Sequence, residues 1–190
     1  RVGEKKGQTP QNPFLDTFTG RSDKRSDVSS GFPLKSCGKD ISPSGCFTVM
    51  ENVVYVDHKA GELERLVSGE KTIVIRGATG RKLPYGRVNM GDVLYFIRNN
   101  GEGLVRAKAM VDRVVNSARM TPGESKRFVD EHAAGLQLSD AQYKKWAGKR
   151  YLGLITVFNV EELEPFKIDR SGYRKRDDWL PVGDIDSVKV

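Results

Sequence analysis

Two basic residues stand at opposite ends of a short predicted strand, and their types and spacing suit the binding of an anion. The alternation of Ile73 and Ile75 with Val74 and Arg76 predicts a β-strand with two different faces. If the strand begins only after Lys71, that residue lies at its mouth and can point toward the same face as Arg76. Two cations at the lip of a sheet attract an anion, so the first hypothesis is an anion-binding cleft.

The element that must position Lys71 is a short helix just upstream. Leu63, Leu66 and Val67 follow i, i+3, i+4 spacing, which predicts an amphipathic helix over 60–68. Gly69 comes directly after it, where a helix end often needs a residue that tolerates positive φ. The sequence therefore predicts a helix, a tight glycine turn and a strand.

The eight-residue segment that begins at Gly69 resembles the core motif of the ASCH family, a group of PUA-like domains. The family pattern is Gly-x-Lys-x-x-Glu-x-Arg after a helix. Gly69, Lys71 and Arg76 match this pattern, and Val74 stands where the family has glutamate. The departure at Val74 removes an acid that could pair with the lysine or shape the cleft.

The resemblance extends beyond the motif and covers about 53–160. Lys59 matches a basic position upstream of the helix, and Gly91 with Asp92 matches the opening of a later strand. The resemblance implies an α+β fold, a PUA-like closed β-barrel with helices at its sides. It also implies a cleft between the motif helix and the barrel that binds RNA or a nucleotide-like ligand, with Lys71 as its central cation.

A basic, glycine-rich loop over 77–86 adds cations and an aromatic ring to the implied cleft. Nucleic-acid binding requires several cations along a backbone path and a π surface for a base. Tyr85 is the favoured stacking residue, whereas Tyr95 and Trp146 are expected to belong to the core. The residues predicted to contact nucleic acid are Lys59, Lys71, Thr72, Arg76, Arg81, Lys82, Tyr85 and Arg87. For Arg76 the alternative is a structural ion pair with a nearby acid.

A second resemblance gives an enzymatic alternative. Small bacterial ASCH-type amidohydrolases that act on acylated cytidine share the pattern Gly-x-Lys-Thr-Ile-x-Ile-Arg with this motif. Their catalysis uses the motif lysine, a threonine two residues before the arginine and a later glutamate; here the last two positions hold Val74 and Leu136. Only Lys71 remains, and Glu131 and His132 are either a general base or plain surface residues. Because a nucleophile without partners loses its activation, binding is favoured over catalysis.

A metal-dependent nuclease is the other enzymatic alternative, and it would need carboxylates clustered in the cleft. The acidic runs at 161–164 and 177–178 are out of step with the motif strand and are interpreted as charged surface. Cys37 and Cys46 are the only cysteines, too few for a structural zinc site of the usual kind. No metal site and no cofactor are therefore predicted.

The composition favours a soluble protein with a polyanionic partner. The 190 residues carry a net charge of +7, and 30% of them are charged. A basic surface favours nucleic acid, although it also suits a merely solvated surface. No apolar run approaches a membrane span, and the start does not resemble a signal peptide. We expect a soluble cytoplasmic protein with free thiols.

Two regions differ in composition. Residues 1–46 are rich in Gly, Pro, Ser, Asn and basic residues and lack periodic apolar positions, which predicts a flexible basic N-terminal extension. The extension either wraps nucleic acid or is an inert tail. Residues 47–190 form the predicted ASCH/PUA-like domain.

Within the domain, apolar alternation predicts four further strands, over 47–56, 92–98, 104–115 and 151–160. Two capping boxes, which start at Thr121 and Ser139, predict helices that end near 134 and 147. The tail from Glu161 is predicted to add a final strand and loop. This order favours a barrel-like α+β sheet with helices at its sides.

Overall fold

The computed structural model describes residues 48–174 and 176–190. These residues form six strands and four helices. The strands are β1 (Glu51–Val56), β2 (Ile73–Ala78), β3 (Val93–Arg98), β4 (Leu104–Asn116), β5 (Tyr151–Lys167) and β6 (Trp179–Gly183). The helices are α1 (Glu62–Val67), α2 (Pro122–Glu131), α3 (Ala133–Leu136) and α4 (Asp140–Trp146), and a 3-10 turn (Ile185–Ser187) follows β6. Their order along the chain is β1, α1, β2, β3, β4, α2, α3, α4, β5, β6. The predictions for 1–46, including those for Cys37 and Cys46, lie outside the described residues and stay predictions.

The six strands form one mixed sheet in the order β2-β5-β4-β3-β1-β6. Among the strand pairs formed by the described residues, only β1–β3 is parallel. Three register shifts interrupt the pairing of β4 with β5, and such bulges bend and twist a sheet, so the sheet curls into a half-barrel. The α+β class is confirmed. The resemblance implied a closed barrel, but β2 and β6 remain edges of the hydrogen-bonded ladder in the described chain.

Both faces of the sheet are covered, which explains why its central strands are nearly all apolar. Val54 and Phe96 belong to a cluster inside the curl that includes Leu63 and Leu66 of α1. The residues next to Val54 and Phe96 along β1 and β3 point to the opposite face and belong to a second cluster, which lies under the 3-10 turn. A third cluster joins β2 and β5 to the other three helices. The prediction that β3 is buried on both faces is thus confirmed.

The predicted helix starts are confirmed in atomic detail. Thr121 and Ser139 each form a complete capping box. Helix α2 ends at Glu131, earlier than predicted, because His132 leaves helical geometry with φ −107° and ψ 11°. The chain then makes the short α3, which brings Gly135 against Ile73. A Cβ on Gly135 would lie 2.7 Å from the Ile73 Cδ1 atom, so this approach requires glycine.

The prediction for the tail was wrong in one respect. Strand β5 does not end at Val160; it continues through Glu161 to Lys167 and pairs with β4 along its length. Glu161 lies opposite Lys108, and their charged groups are 3.1 Å apart. Pro165 falls where the register shifts, so its missing N–H group breaks no regular pairing. The final strand, β6, begins only at Trp179.

Candidate nucleic-acid interface

Lys71 lies inside the protein instead of at a lip. Its side chain is 1% exposed. The Nζ atom donates a hydrogen bond of 2.5 Å to the carbonyl of Leu136 at the end of α3, and it lies 3.4 Å from Glu62 Oε1. The Lys71 N–H also donates to the carbonyl of Arg65 in α1. The expected exposed position was wrong because Lys71 precedes β2 and its side chain turns inward beneath the helices.

Glu62 is the partner of Lys71 that sequence reasoning missed. Its Oε2 atom accepts hydrogen bonds from the Asp57 N–H at 2.8 Å and from Gln142 Nε2 at 3.3 Å. Burial lowers the pKa of Lys71, and the charge of Glu62 opposes that shift. A signal was present, because Glu62 stands four residues before Leu66 on the buried face of α1. The network ties α1, α3 and α4 together.

Arg76 is also buried, with 7% exposed, and it links the edge strand β2 to β1 and to the residue that precedes β6, at the other side of the sheet. Its Nη2 atom donates to the carbonyl of Tyr55 in β1 at 2.7 Å, and its Nε atom lies 3.5 Å from Asp178 Oδ2. The guanidinium carbon is 5.9 Å from the ring centre of Trp146 and 5.8 Å from that of Trp179. These contacts match the structural alternative named for Arg76.

The loop that follows β2 carries exposed cations. Arg81, Lys82 and Arg87 are all exposed. The Arg81 guanidinium lies 5.8 Å from the ring centre of Tyr85 and 5.6 Å from that of Tyr151. The Tyr85 hydroxyl donates to the carbonyl of Ser117, and the two tyrosine rings meet edge to face at 5.6 Å. Tyr85 therefore anchors the loop, and its ring already has two neighbours.

The eight predicted contact residues do not form one cluster. Lys59 and Thr72 are exposed near α1 and α3: the Lys59 N–H donates to Asp57, and the Thr72 N–H donates to Gly135. Lys71 lies beneath the same helices. The other five residues lie at or beyond the C-terminal end of β2. Residues near the start of β2 therefore make mostly structural contacts, and the exposed cations lie beyond its C-terminal end, which we call the basic end of β2.

Two grooves border the basic loop and bring in cations that sequence reasoning missed. The first groove, of about 600 Å³, is lined by Thr79 together with Arg119, Lys149 and Arg150, among others. The second, of about 580 Å³, is lined by Lys82, Arg174, Arg176 and Trp179, among others. The missed cations sit in short connections beside β5 and β6, and no local motif marks them. Only the fold brings them beside the loop.

The enzymatic alternative depends on four positions in β2, α2 and α3 or next to them. Val74 and Leu136 are fully buried, so neither position presents a reactive side chain. Glu131 is exposed at the end of α2. The His132 ring packs on Phe128 at 4.9 Å, with Nδ1 2.9 Å from the Phe128 carbonyl oxygen. Across residues 48–174 and 176–190 there is no cluster of three metal-ligating side chains.

The solved structures with a similar fold include ASCH proteins. An ASCH protein from Zymomonas mobilis is 14% identical to this chain, and the match covers 74% of this chain and 96% of that one with a TM-score of 0.55. A mutant form of a Zymomonas mobilis ASCH protein matches at 15% identity over 72% of this chain and 93% of its own, again with a TM-score of 0.55. No protein-family model and no curated protein matches the sequence.

The predicted fold type is confirmed by these structures. The chain has the PUA-like fold of ASCH domains, with a mixed curled sheet and helices at its sides. At this level of identity the likeness describes the fold alone. In the described part of the chain, no helix is long and apolar enough to cross a membrane.

Proposed function

We propose that this protein is a PUA-like module that binds nucleic acid, with RNA or a nucleotide as its ligand, through the basic end of β2. The supporting observation is the cluster of exposed cations, Arg81, Lys82 and Arg87, on a loop anchored by Tyr85. Cations arranged along a surface attract the phosphate backbone and make affinity depend on salt. The net charge of +7 acts in the same direction.

Within this proposal the motif cations have different roles. Arg81, Lys82 and Arg87 contact phosphates directly. Arg76 lies beneath the loop and keeps β2 joined to β1 and β6, so it positions the loop. Lys71 holds the helices in place through Glu62 and the Leu136 carbonyl. Lys59 and Thr72 contribute only if the ligand reaches as far as α1.

The ring of Tyr85 has a defined place in this proposal. Arg81 and Tyr151 already lie against it, at 5.8 and 5.6 Å between centres. A base that stacks on Tyr85 must therefore displace Arg81 or share the ring with it. An arginine plane held on tyrosine can also stack on a base, so Arg81 and Tyr85 form one composite stacking surface.

A binding assay with a charge-matched control tests the proposal. The Arg81→Gln, Lys82→Gln, Arg87→Gln variant removes the loop charges. The Lys126→Gln, Lys144→Gln, Lys167→Gln variant removes the same charge from exposed positions on α2, α4 and β5. Fluorescence anisotropy with labelled structured RNA should show a loss of about tenfold or more in the first variant and a much smaller loss in the second. Equal losses in the two variants would reduce the effect to net charge and refute a site at the loop.

A further inference from the structure

The two grooves meet at the same short piece of loop. Thr79 lines the first groove and Lys82 lines the second. These residues are three positions apart, so their Cα atoms are separated by at most about 11 Å. A ligand that leaves one groove can therefore enter the other after crossing only the tip of the loop, past Arg81.

The charges of the first groove have no partner in the described chain. Within residues 48–174 and 176–190, no carboxylate lies at ion-pair distance from Arg119, Lys149 or Arg150. The position of Lys149 is also fixed. A Cβ on Gly77 would lie 3.3 Å from Lys149 Cβ, so the base of the Lys149 side chain packs against β2 at the position where Gly77 has no side chain. Three unpaired cations around one concavity are suited to an anion.

The second groove is basic as well, although acids line it. Lys82, Arg174 and Arg176 outnumber Asp177 and Asp178. Asp178 is already beside Arg76, at 3.5 Å. Asp177 is held locally, because one of its carboxylate oxygens accepts a hydrogen bond from the Arg174 N–H. The exposed arginines are therefore the groups that remain for a ligand.

We infer that the two grooves form one track for the sugar–phosphate backbone of a single-stranded oligonucleotide, so that the ligand is longer than one nucleotide. This inference rests on the proposed function and specifies its ligand. The first groove, of about 600 Å³, offers room for roughly one nucleotide. A whole B-form duplex, whose major groove alone is about 12 Å wide, cannot enter a groove of this volume, whereas one strand can.

The spacing limits how many nucleotides are needed to bridge the two grooves. Successive phosphates along one stacked strand are about 3.4 Å apart along the axis, so a gap of up to about 11 Å corresponds to at most about three of them. Because each groove has room for roughly one nucleotide, contacts in both grooves require an oligonucleotide and not a mononucleotide. The chemistry shared by RNA and single-stranded DNA is the phosphodiester backbone, and the track by itself does not read the 2′-hydroxyl.

A length series on the whole chain tests the track. Labelled oligo-U and oligo-dT from about two to about twelve nucleotides are titrated by anisotropy at fixed salt, a range that brackets known site sizes. Affinity should rise steeply until both grooves are filled and then level off. Comparison of the two series distinguishes RNA from DNA. Affinity that is independent of length in both series would overturn the track.

Charge removal in the first groove gives an independent measurement. The Arg119→Gln, Lys149→Gln, Arg150→Gln variant should reduce the slope of log affinity against log salt by about 2, since each phosphate contact with a single strand contributes about 0.7. It should also remove the advantage of the longer oligonucleotides. The Lys126→Gln, Lys144→Gln, Lys167→Gln variant is the control, and circular dichroism of both variants checks that they are folded.

The outcomes separate the two proposals. If the first-groove variant keeps the full slope and the full length dependence while the loop variant loses binding, the track is wrong and the proposed function stands. If the unmodified protein binds none of the oligonucleotides and no structured RNA, the proposed function fails, and the track fails with it. A lower slope together with lost length dependence, absent from the control, supports the track.

Discussion

Lys71 Nζ lies 3.4 Å from Glu62 Oε1, and both side chains are almost completely buried. The pair holds helix α1 to the start of β2, and the ammonium group also donates a hydrogen bond to the Leu136 carbonyl. Removing one partner of a buried pair leaves an uncompensated charge, whereas removing both is often tolerated. The motif lysine of this chain is therefore expected to contribute to stability more than to ligand contact.

Replacing Lys71 with methionine should lower the free energy of unfolding by about 3–5 kcal/mol, because Glu62 is left buried and unpaired. Urea denaturation followed by circular dichroism measures this. The Lys71→Met, Glu62→Gln double variant should recover much of the loss, because glutamine can still accept from the Asp57 N–H without a charge. A single variant within about 0.5 kcal/mol of the unmodified protein would contradict the buried pair.

Tyr95 should make the protein sensitive to alkali. Burial, together with the nearby carboxylate of Glu51, raises the pKa of Tyr95 to about 12. An unfolded chain releases this proton near the ordinary value of 10.0, so between these values the folded state binds more protons and stability falls as pH rises. The Tyr95→Phe variant should lose less stability from pH 10 to 12. It should also lack the late step in an ultraviolet titration of tyrosinate.

The Tyr95→Phe substitution should also lower the stability at neutral pH, and this loss serves as an internal check. The Tyr95 hydroxyl donates to Glu51 Oε1 at 3.2 Å, and the loss of such a bond costs about 1 kcal/mol. The stability curves of the two proteins should therefore approach each other as pH rises above 10. Curves that stay parallel to pH 12 would show that Tyr95 ionises normally in the folded state.

Replacing Arg76 with methionine should both destabilise the protein and change its fluorescence. The side chain contacts Trp146 and Trp179, which are the only two tryptophans in the chain. Loss of the guanidinium leaves the Tyr55 carbonyl without this donor and removes two cation–π contacts, a total of about 2–4 kcal/mol. Emission intensity or wavelength should shift in the folded state. The Arg76→Lys variant should recover only part of the lost stability, because lysine lacks the planar guanidinium group and its several donors.

Gly135 and Gly123 offer a matched comparison within adjacent helices. A Cβ on Gly135 would lie 2.7 Å from Ile73 Cδ1 and 3.0 Å from Thr72 Oγ1, whereas a Cβ on Gly123 meets nothing within 4 Å. Gly135→Ala should destabilise by about 1–3 kcal/mol because α3 must move off β2. Gly123→Ala should be neutral or stabilising by up to about 1 kcal/mol. Similar thermal shifts for both variants would argue against the close approach of α3.

Local signals in the sequence predicted much of the fold. The alternation of Val105, Ala107, Ala109 and Val111 placed β4 correctly, because a half-buried strand reveals its period. Both capping boxes formed, since their bonds involve residues only three apart. The extension of β5 past Val160 was missed because it depends on pairing with β4, which the polar stretch after Val160 does not show.

The candidate site was predicted less well, and the reason is the direction of the side chains. Parity within a strand can place Arg76 on a face, but it does not say that two tryptophans from α4 and β6 enclose it. Lys71 precedes the strand, so no period constrains it. Arg119 and Arg150 lie far from the motif in sequence. They approach the loop only because β5 pairs with β2 on one side and β4 on the other.

Asn116, at the end of β4, is paired with Gly153 near the start of β5, so the segment that carries α2, α3 and α4 leaves the sheet and returns to it at neighbouring points. The entropy of closing such an excursion grows only with the logarithm of its length. Changes in the length of this excursion therefore cost little loop-closure entropy, provided that α2, α3 and α4 keep their packing on β2 and β5. Arg119 and Lys149 lie near its two ends, so substitutions at these positions could change the charge beside the basic loop during evolution without altering the half-barrel.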